Sequence, residues 1–244
     1  MSTKIRIFLI RKLLWSLEKK FFYPKLSKFY RKYNNPIDTQ IILDVGSNRG
    51  QSIDFFNKTF QNTRIIGFEP NKELFQFLVR KYLNYQNIEL INKGASDNNG
   101  SRTFYVNQLD ETSSFEELNY DSIYLKKKAR LLGVKSKEII KQELIVEVIE
   151  LSEFIKAKNL IDIFLLKIDV EGHEYSVLKG LFSKKNDFKI HHIQLENHQD
   201  DMYINNSFKK IEELLYEKSY FLNYTIKHVF GDFTENIYSL NNEA

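Results

Sequence analysis

Three apolar segments of this chain end in a carboxylate side chain. In the most distinctive one, the apolar run at residues 161–168 leads directly into the sequence DVEGHE at residues 169–174. Two other runs end at Asp44 and at Glu69. Charge is costly in apolar surroundings unless it is paired or used, and open α/β sheets bind ligands at the carboxyl ends of their strands. The three acids therefore predict a ligand site at one edge of a sheet.

The turn after the first of these runs has the sequence DVGSNRG, at residues 44–50. Gly46 permits a tight turn and lets a ligand approach the backbone closely, and Ser47 or Asn48 can cap the following helix. Glu69 lies about 20 residues further on, where an acid accepts hydrogen bonds from ribose hydroxyls. Because position 48 is not the second Gly of a dinucleotide fingerprint, the pattern favours S-adenosylmethionine over NAD. An NAD-dependent oxidoreductase is the alternative enzyme.

Short apolar runs alternate with helical patterns from residue 39 onward. This alternation predicts an α/β domain, with a parallel sheet and helices on both faces. An insertion at about residues 98–160 interrupts it, with expected strands at 103–106 and 143–149 around a helical segment at 115–132. Residues 112–114 and 220–238 are expected to shape a substrate pocket. The main strands are predicted at residues 41–45, 64–68, 88–92, 164–168 and 190–196, and the helices at 51–60, 72–83, 175–182 and 208–218.

The composition limits the classes of function. The 244 residues include no cysteine, which excludes disulfides and cysteine nucleophiles and favours a reducing compartment. No apolar stretch is long enough to span a bilayer, so we expect a cytoplasmic protein. The formal net charge is +4, but residues 1–35 hold ten Lys or Arg against one acid, Glu18. The rest of the chain is mildly acidic, which argues against a nucleic-acid groove across the whole protein.

The basic segment has a helical pattern over residues 5–23. Apolar residues recur every three or four positions on one face, and basic residues lie mostly on the other, interleaved with aromatic ones. A helix that packs against the domain or a partner subunit is the first interpretation, and an interfacial helix on the inner face of a membrane is the alternative. We therefore divide the chain into an amphipathic helical arm, residues 1–36, and a domain, residues 37–244. The apolar face consists of Ile7, Ile10, Leu14, Leu17 and Phe21.

Four motifs occur in order: DVGSN-x-G at 44–50, FEP at 68–70, ASD at 95–97 and LKIDVEGHE at 166–174. Together they resemble the FkbM family of S-adenosylmethionine-dependent methyltransferases, over about residues 41–196. The resemblance implies the class I methyltransferase fold, a doubly wound, Rossmann-like sheet of seven strands that is mostly parallel with its last strand antiparallel. It also implies O-methylation of a hydroxyl on a sugar, a glycan or a secondary metabolite.

The resemblance also assigns the cofactor site. The turn after the first strand would contact the methionine and ribose parts of S-adenosylmethionine. The acid after the second strand would hold the ribose, and the small residues after the third would border the adenine. The expected cofactor-binding residues are Asp44, Gly46, Ser47, Asn48, Glu69, Pro70, Ala95 and Ser96.

His173 is the expected catalytic base, because its ordinary pKa of about 6.5 suits the removal of a hydroxyl proton near neutral pH. Asp169, at the end of the strand nearest the sulfonium, Glu171 or Glu174 would orient it, and Glu171 could instead bind sugar hydroxyls. A structural role for His173 is the alternative interpretation. If His173 is the base, its replacement by Gln should reduce turnover far more than cofactor affinity.

Two further interpretations stay open. Asp169, Glu196 and Asn197 resemble the ligand set of catechol-type methyltransferases, and oxygen ligands of this kind suit Mg²⁺, although we favour substrate binding by Glu196. A catalytically silent, membrane-associated scaffold that uses the arm is the non-enzymatic alternative. Asp44, Glu69 and Asp169 argue against a scaffold, because a silent copy has no need of all three acids.

Overall fold

The computed structural model describes residues 3–33, 37–185, 187–198, 201–204, 208–228 and 233–241. The first helix, α1 (Thr3–Leu17), continues through a π-helical turn (Glu18–Phe22) into α2 (Tyr23–Tyr30). The elements that follow are β1 (Gln40–Val45), α3 (Gln51–Thr59), β2 (Thr63–Phe68), α4 (Lys72–Lys81), β3 (Ile88–Ile91), β4 (Gly94–Ser96), β5 (Gly100–Asn107), α5 (Ile123–Leu132), β6 (Ile140–Glu150), α6 (Leu151–Ala157), β7 (Asp162–Ile168), α7 (Glu174–Leu181), β8 (Lys189–His198), α8 (Phe208–Glu217), β9 (Tyr220–Lys227) and β10 (Phe233–Leu240). Among the described residues, none of these helices combines the length and the apolar composition needed to cross a membrane.

The main sheet has seven strands in the order β3-β2-β1-β7-β8-β10-β9. All its pairs are parallel except those that β10 makes with β8 and β9. The prediction of a mostly parallel sheet with an antiparallel last strand is therefore confirmed. The central strands are buried on both faces because their apolar residues are nearly continuous. The strand order reverses between β1 and β7, and the crevice beyond their carboxyl ends is where such sheets bind ligands.

A second sheet of three strands, in the order β4-β6-β5, lies mostly within the predicted insertion. The helix expected at residues 115–132 is wrong in its first half, because α5 begins only at Ile123. The Ser122 hydroxyl caps α5 by accepting a hydrogen bond from the backbone N–H of Leu125 at 3.0 Å, and Ser114 pairs with Tyr105 in an antiparallel bridge. Side chains of this type that bond to the local backbone compete with helix formation.

The second half of the predicted arm is packed into the core of the domain. Leu26 and Tyr30 of α2 are buried against residues of β1 and α3, and the Tyr30 hydroxyl donates to Gln194 Oε1 of β8 at 2.6 Å. A π-helical turn holds more residues than an α-helical turn, so the inward face shifts along the sequence. The prediction that Phe21 shares one face with Ile10 and Leu14 is therefore wrong: 41% of Phe21 is exposed, against 8% of Phe22.

Candidate active site

A cavity of about 540 Å³ opens beyond the carboxyl ends of β1, β2, β7 and β8. The loops after these strands form one wall, and α1, the π-helical turn and the segment between β5 and α5 form the other. The cavity therefore lies where the strand order reverses. Of the predicted site residues, Gly46, Ser47, Asn48, Glu69, Pro70, Ala95, Asp169 and Glu171 line the cavity, whereas Asp44, Ser96 and His173 do not.

The loop after β1 has a backbone conformation that requires glycine. Gly46 has a φ of +87°, which is unfavourable for residues with a Cβ atom. A Cβ atom at this position would also overlap the backbone carbonyl oxygen of Asp169. The ends of β1 and β7 thus approach each other closely at Gly46, which itself lines the cavity.

Asp44 supports this loop from below. Its buried carboxylate accepts hydrogen bonds from the hydroxyls of Ser47 and Ser52 through Oδ2, both at 2.8 Å. Its other oxygen lies 3.7 Å from Lys167 Nζ. The structure therefore places Asp44 beneath the loop after β1, where it fixes the shape of the loop without lining the cavity.

Glu69 links the loops after β1 and β2. It is almost fully buried, and its two oxygens accept hydrogen bonds from the backbone N–H groups of Asn48 and Asn71, both at 2.8 Å. Burial raises the pKa of Glu69 to about 7, although these two hydrogen bonds favour the charged form. Since a carboxylate has about four acceptor positions, Glu69 can also accept hydrogen bonds from a ligand in the cavity.

His173 is buried, and both of its ring nitrogens are engaged. Its Nε2 lies 2.9 Å from Ser96 Oγ, and its Nδ1 lies 2.6 Å from Glu116 Oε1. The ring of Phe115 packs against the imidazole. These contacts join β4, the start of α7 and the segment after β5. The geometry therefore supports the structural interpretation of His173 and gives no support to its expected role as a base.

Three carboxylates face one another in the cavity. One oxygen each of Asp169, Glu171 and Glu196 lies within 4.8 Å of the others. Asn197, the third metal ligand suggested by the sequence, is buried in β8 and does not line the cavity. The Tyr203 hydroxyl donates to Glu171 Oε2 at 2.9 Å. The cluster of Asp169, Glu171 and Glu196, called the acidic cluster below, offers several hydrogen-bond acceptors to a ligand.

Lys167 balances part of the negative charge of the acidic cluster. Its Nζ lies 3.0 Å from Asp169 Oδ2. Burial alone would lower the pKa of Lys167, but the negative charges of Asp169, Asp44 and Glu235 raise it above its ordinary value. The ammonium group therefore stays charged beside the acidic cluster.

The arm contributes a carboxylate that the sequence analysis did not assign to the site. Glu18, in the π-helical turn, lines the cavity. Burial raises the pKa of Glu18 to about 7; the charge of His228 opposes this change and the charge of Asp169 adds to it. Glu18 is the only acid in residues 1–35, and this isolation was the signal in the sequence that could have identified it.

The segments expected to shape a substrate pocket do line the cavity. Residues 112–114 contribute two side chains and residues 220–238 contribute three, while residues 229–232 lie outside the described part of the chain. These five residues are Thr112, Ser113, His228, Phe233 and Glu235. Other lining residues that the sequence analysis missed are Ile10, Arg11 and Leu14 of α1 and Leu109, Asp110 and Glu111 of the insertion.

Arg11 connects α1 to the insertion across the cavity. Its guanidinium pairs with Asp110 at 2.8 Å and also with Glu111. Asp110 pairs in addition with Arg49, at 2.5 Å, and Arg49 belongs to the loop after β1. The carboxylate of Asp110, in the insertion, therefore forms ion pairs with both the arm and the predicted cofactor loop.

We expect Arg11→Ala to loosen α1 from the domain. Hydrogen bonds between charged groups are worth about 1.5–3 kcal/mol, so their loss makes local opening more frequent. Chymotrypsin should cut at the aromatic residues of α1 about ten times faster than in the wild type. Arg80→Ala, at an exposed position of α4, is the matched control. Equal cutting of the two variants would contradict a fastening role of Arg11.

Several known proteins resemble this chain in sequence or in fold. A family model described as "Methyltransferase FkbM domain" matches residues 44–222. "Methyltransferase 1" of Beauveria bassiana (strain ARSEF 2860) is 27% identical over 150 residues, which cover 59% of this chain and 59% of that relative. A candidate rRNA methylase from Clostridium thermocellum is 9% identical with a TM-score of 0.50, over 91% of this chain and 96% of that one.

A further solved structure is that of M. capricolum TrmK in complex with S-adenosylhomocysteine. It is 11% identical, with a TM-score of 0.49, over 88% of this chain and 67% of that chain. At identities this low, structural similarity reports on the fold alone. The family match over residues 44–222 includes each residue of the predicted cofactor site and leaves out α1 and α2.

Proposed function

Because this chain belongs to the FkbM methyltransferase family, whose cofactor is S-adenosylmethionine, we propose that it methylates a hydroxyl group of a sugar, a glycan or a secondary metabolite. One observation carries the proposal. The predicted cofactor loop with Glu69 and the acidic cluster line the same cavity. A methyl donor on one wall and a hydroxyl acceptor at the other would thus meet in one chamber, which is the positioning that group transfer requires.

The first wall fits S-adenosylmethionine. Gly46 lines the cavity in a backbone conformation that lets the ends of β1 and β7 meet closely, and Glu69 is a buried acid that also lines the cavity. We propose that Gly46, Ser47, Asn48, Glu69, Pro70 and Ala95 hold the cofactor. Asp44 and Ser96 do not line the cavity and act indirectly. Asp44 supports the loop after β1 through its bond to Ser47, and Ser96 hydrogen-bonds to His173. When bound, the cofactor supplies an electrophilic methyl group.

The opposite side of the cavity fits an acceptor with several hydroxyl groups. Asp169, Glu171, Glu196 and Glu18 offer only acceptor atoms when they are ionised, and hydroxyls are matching donors. This set of acceptor atoms supports a sugar, a glycan or a hydroxylated metabolite as the acceptor.

We propose that the acceptor proton moves to a carboxylate of the cavity and not to His173. Asp169 lies at the end of β7 and lines the cavity with Glu171. The pKa of Glu18, raised by burial to about 7, suits a general base near neutral pH. In this interpretation Asp169 and Glu171 orient the acceptor hydroxyl, and Glu18, which belongs to the arm, accepts its proton.

His173→Gln should therefore lower stability and leave cofactor affinity within about threefold of the wild type. Removing a partner from a buried hydrogen-bond network costs about 1–3 kcal/mol, which lowers the melting temperature of a domain of this size by roughly 2–10 °C. Thermal unfolding and calorimetric titration measure the two effects. His191→Gln, at a partly exposed position that pairs with Asp162, is the matched control. Unchanged stability together with lost turnover would restore His173 as the base.

The acceptor is identified by methyl transfer from labelled S-adenosylmethionine to a panel of sugars, glycans and hydroxylated metabolites. We expect the label on an oxygen, as determined by NMR of the product, and no loss of activity after exhaustive EDTA treatment. Label on nitrogen or carbon would overturn the proposed O-methylation and keep the family assignment. Binding of NAD in preference to S-adenosylmethionine would overturn the proposed methyl transfer and favour the oxidoreductase.

A further inference from the structure

The outward side of α1 exposes large apolar residues. Ile5, Phe8, Leu9 and Leu13 are 52%, 63%, 48% and 57% exposed. A helix that packs against a domain on one side normally presents polar residues on the other. The residues of α1 that pack inward lie at different positions of the helix, and they include Ile10 and Leu14, which line the cavity. The four exposed residues therefore form a second apolar face.

All charged residues on this outward side are basic. Lys4, Lys12, Lys19 and Lys20 are exposed, and Lys19 Nζ lies 3.3 Å from the centre of the Trp15 ring. The one acid of the segment, Glu18, lines the cavity on the other side. The helix thus separates its charges, with the carboxylate directed inward and the lysines outward. We call Lys4, Ile5, Phe8, Leu9, Lys12, Leu13, Lys19 and Lys20 the outer face.

We infer that the outer face binds the surface of a bilayer that contains anionic phospholipid. Exposed apolar side chains can enter the boundary between headgroups and acyl chains, and each nearby lysine is attracted to the negative surface potential. A second copy of this chain fits less well. In a symmetric dimer the same patch meets itself, so the lysines of both copies would oppose one another without an acid to pair with.

This orientation has a consequence for the acceptor, which rests on the proposed function. The inner side of α1 lines the cavity, and a helix with its side chains is about 10 Å thick. The cavity therefore lies about one helix diameter from the inferred bilayer surface. An acceptor that fits both features is a glycan attached to a membrane lipid, with its sugar hydroxyls at the acidic cluster.

Co-sedimentation with vesicles tests the inference on the whole chain. Wild-type protein should sediment with phosphatidylcholine vesicles that contain about one third phosphatidylglycerol, and only weakly with phosphatidylcholine alone. Added salt should weaken the binding, because it screens the lysines. A variant with Phe8→Ser, Leu9→Ser and Leu13→Ser should bind the anionic vesicles at least about tenfold more weakly.

The matched control carries Leu83→Ser, Ile145→Ser and Ile161→Ser, at apolar positions that are exposed elsewhere on the surface. It should bind the vesicles like the wild type. Equal affinity of both variants for S-adenosylmethionine shows that they are folded, and it separates this test from that of the proposed function. Absence of wild-type binding to anionic vesicles, or equal binding by both triple variants, would overturn the inference. A dimer in light scattering that the outer-face variant abolishes, without vesicle binding, would assign the face to a second copy.

Discussion

Replacing Glu69 by alanine is expected to abolish measurable binding of S-adenosylmethionine. The change removes the carboxylate that faces the cavity and leaves the backbone N–H groups of Asn48 and Asn71 without their acceptor. Two ribose hydrogen bonds to a charged group are worth about 1.5–3 kcal/mol each. Their loss alone weakens binding by at least about 100-fold. Isothermal titration calorimetry measures the effect directly.

Glu73→Ala is the matched control for this substitution. Glu73 lies in the first turn of α4, is exposed, and does not line the cavity. Its variant should bind S-adenosylmethionine with wild-type affinity. Glu69→Gln keeps one acceptor oxygen and should fall between the two alanine variants. Affinity of Glu69→Ala within about threefold of the wild type would remove Glu69 from the cofactor site and with it the main support for the site.

Cofactor affinity should also depend on pH through Glu69. Burial raises the pKa of this carboxyl to about 7, so it is ionised well above pH 7 and protonated below. Because the protonated form has less capacity to accept hydrogen bonds, affinity should be full at about pH 8 and decline as the pH falls through 7. The decline approaches about tenfold per pH unit if only the ionised form binds. Titrations of Glu69→Gln over the same range should be nearly independent of pH.

Gly46→Ala is expected to remove cofactor binding and to destabilise the domain. A residue with a Cβ atom costs about 1–2 kcal/mol in a left-handed conformation, and here the φ is +87°. The added methyl group would also overlap the carbonyl oxygen of Asp169, a backbone atom that cannot rotate away. Either the loop after β1 or the end of β7 must move, and both line the cavity. We expect the melting temperature to fall by at least about 5 °C.

Gly100→Ala separates the overlap from the backbone strain. Gly100 also has a positive φ, of +147°, but a Cβ atom there has no atom within 4 Å among the described residues. This control should lose some stability and keep wild-type affinity for S-adenosylmethionine. Thermal unfolding and calorimetry on both variants distinguish the two contributions. Identical behaviour of the two glycine variants would show that the approach of β1 and β7 at Gly46 is not needed for binding.

Much of the fold could be predicted because its signals are local. The apolar runs that became β1, β2, β7 and β8 have the length and continuity of strands buried on both faces. The acids at their ends had to lie at one edge of the sheet, because parallel strands end on the same side. The fold class and the family were predicted correctly from these motifs. The division at residue 36 stays a prediction, with α2 now known to pack into the core.

By itself the sequence determined five strands of the main sheet and the candidate cofactor loop at their edge, but not β9 and β10. Only the tertiary structure decided which side chains face the cavity. Asp44 and His173 belong to the same motifs as Gly46 and Asp169, yet they point beneath the loop and into a buried network. Glu18 is far from these motifs in sequence and lines the same cavity. Side-chain direction at a strand end depends on the segments packed against it, and a local pattern carries no information about contacts between distant segments.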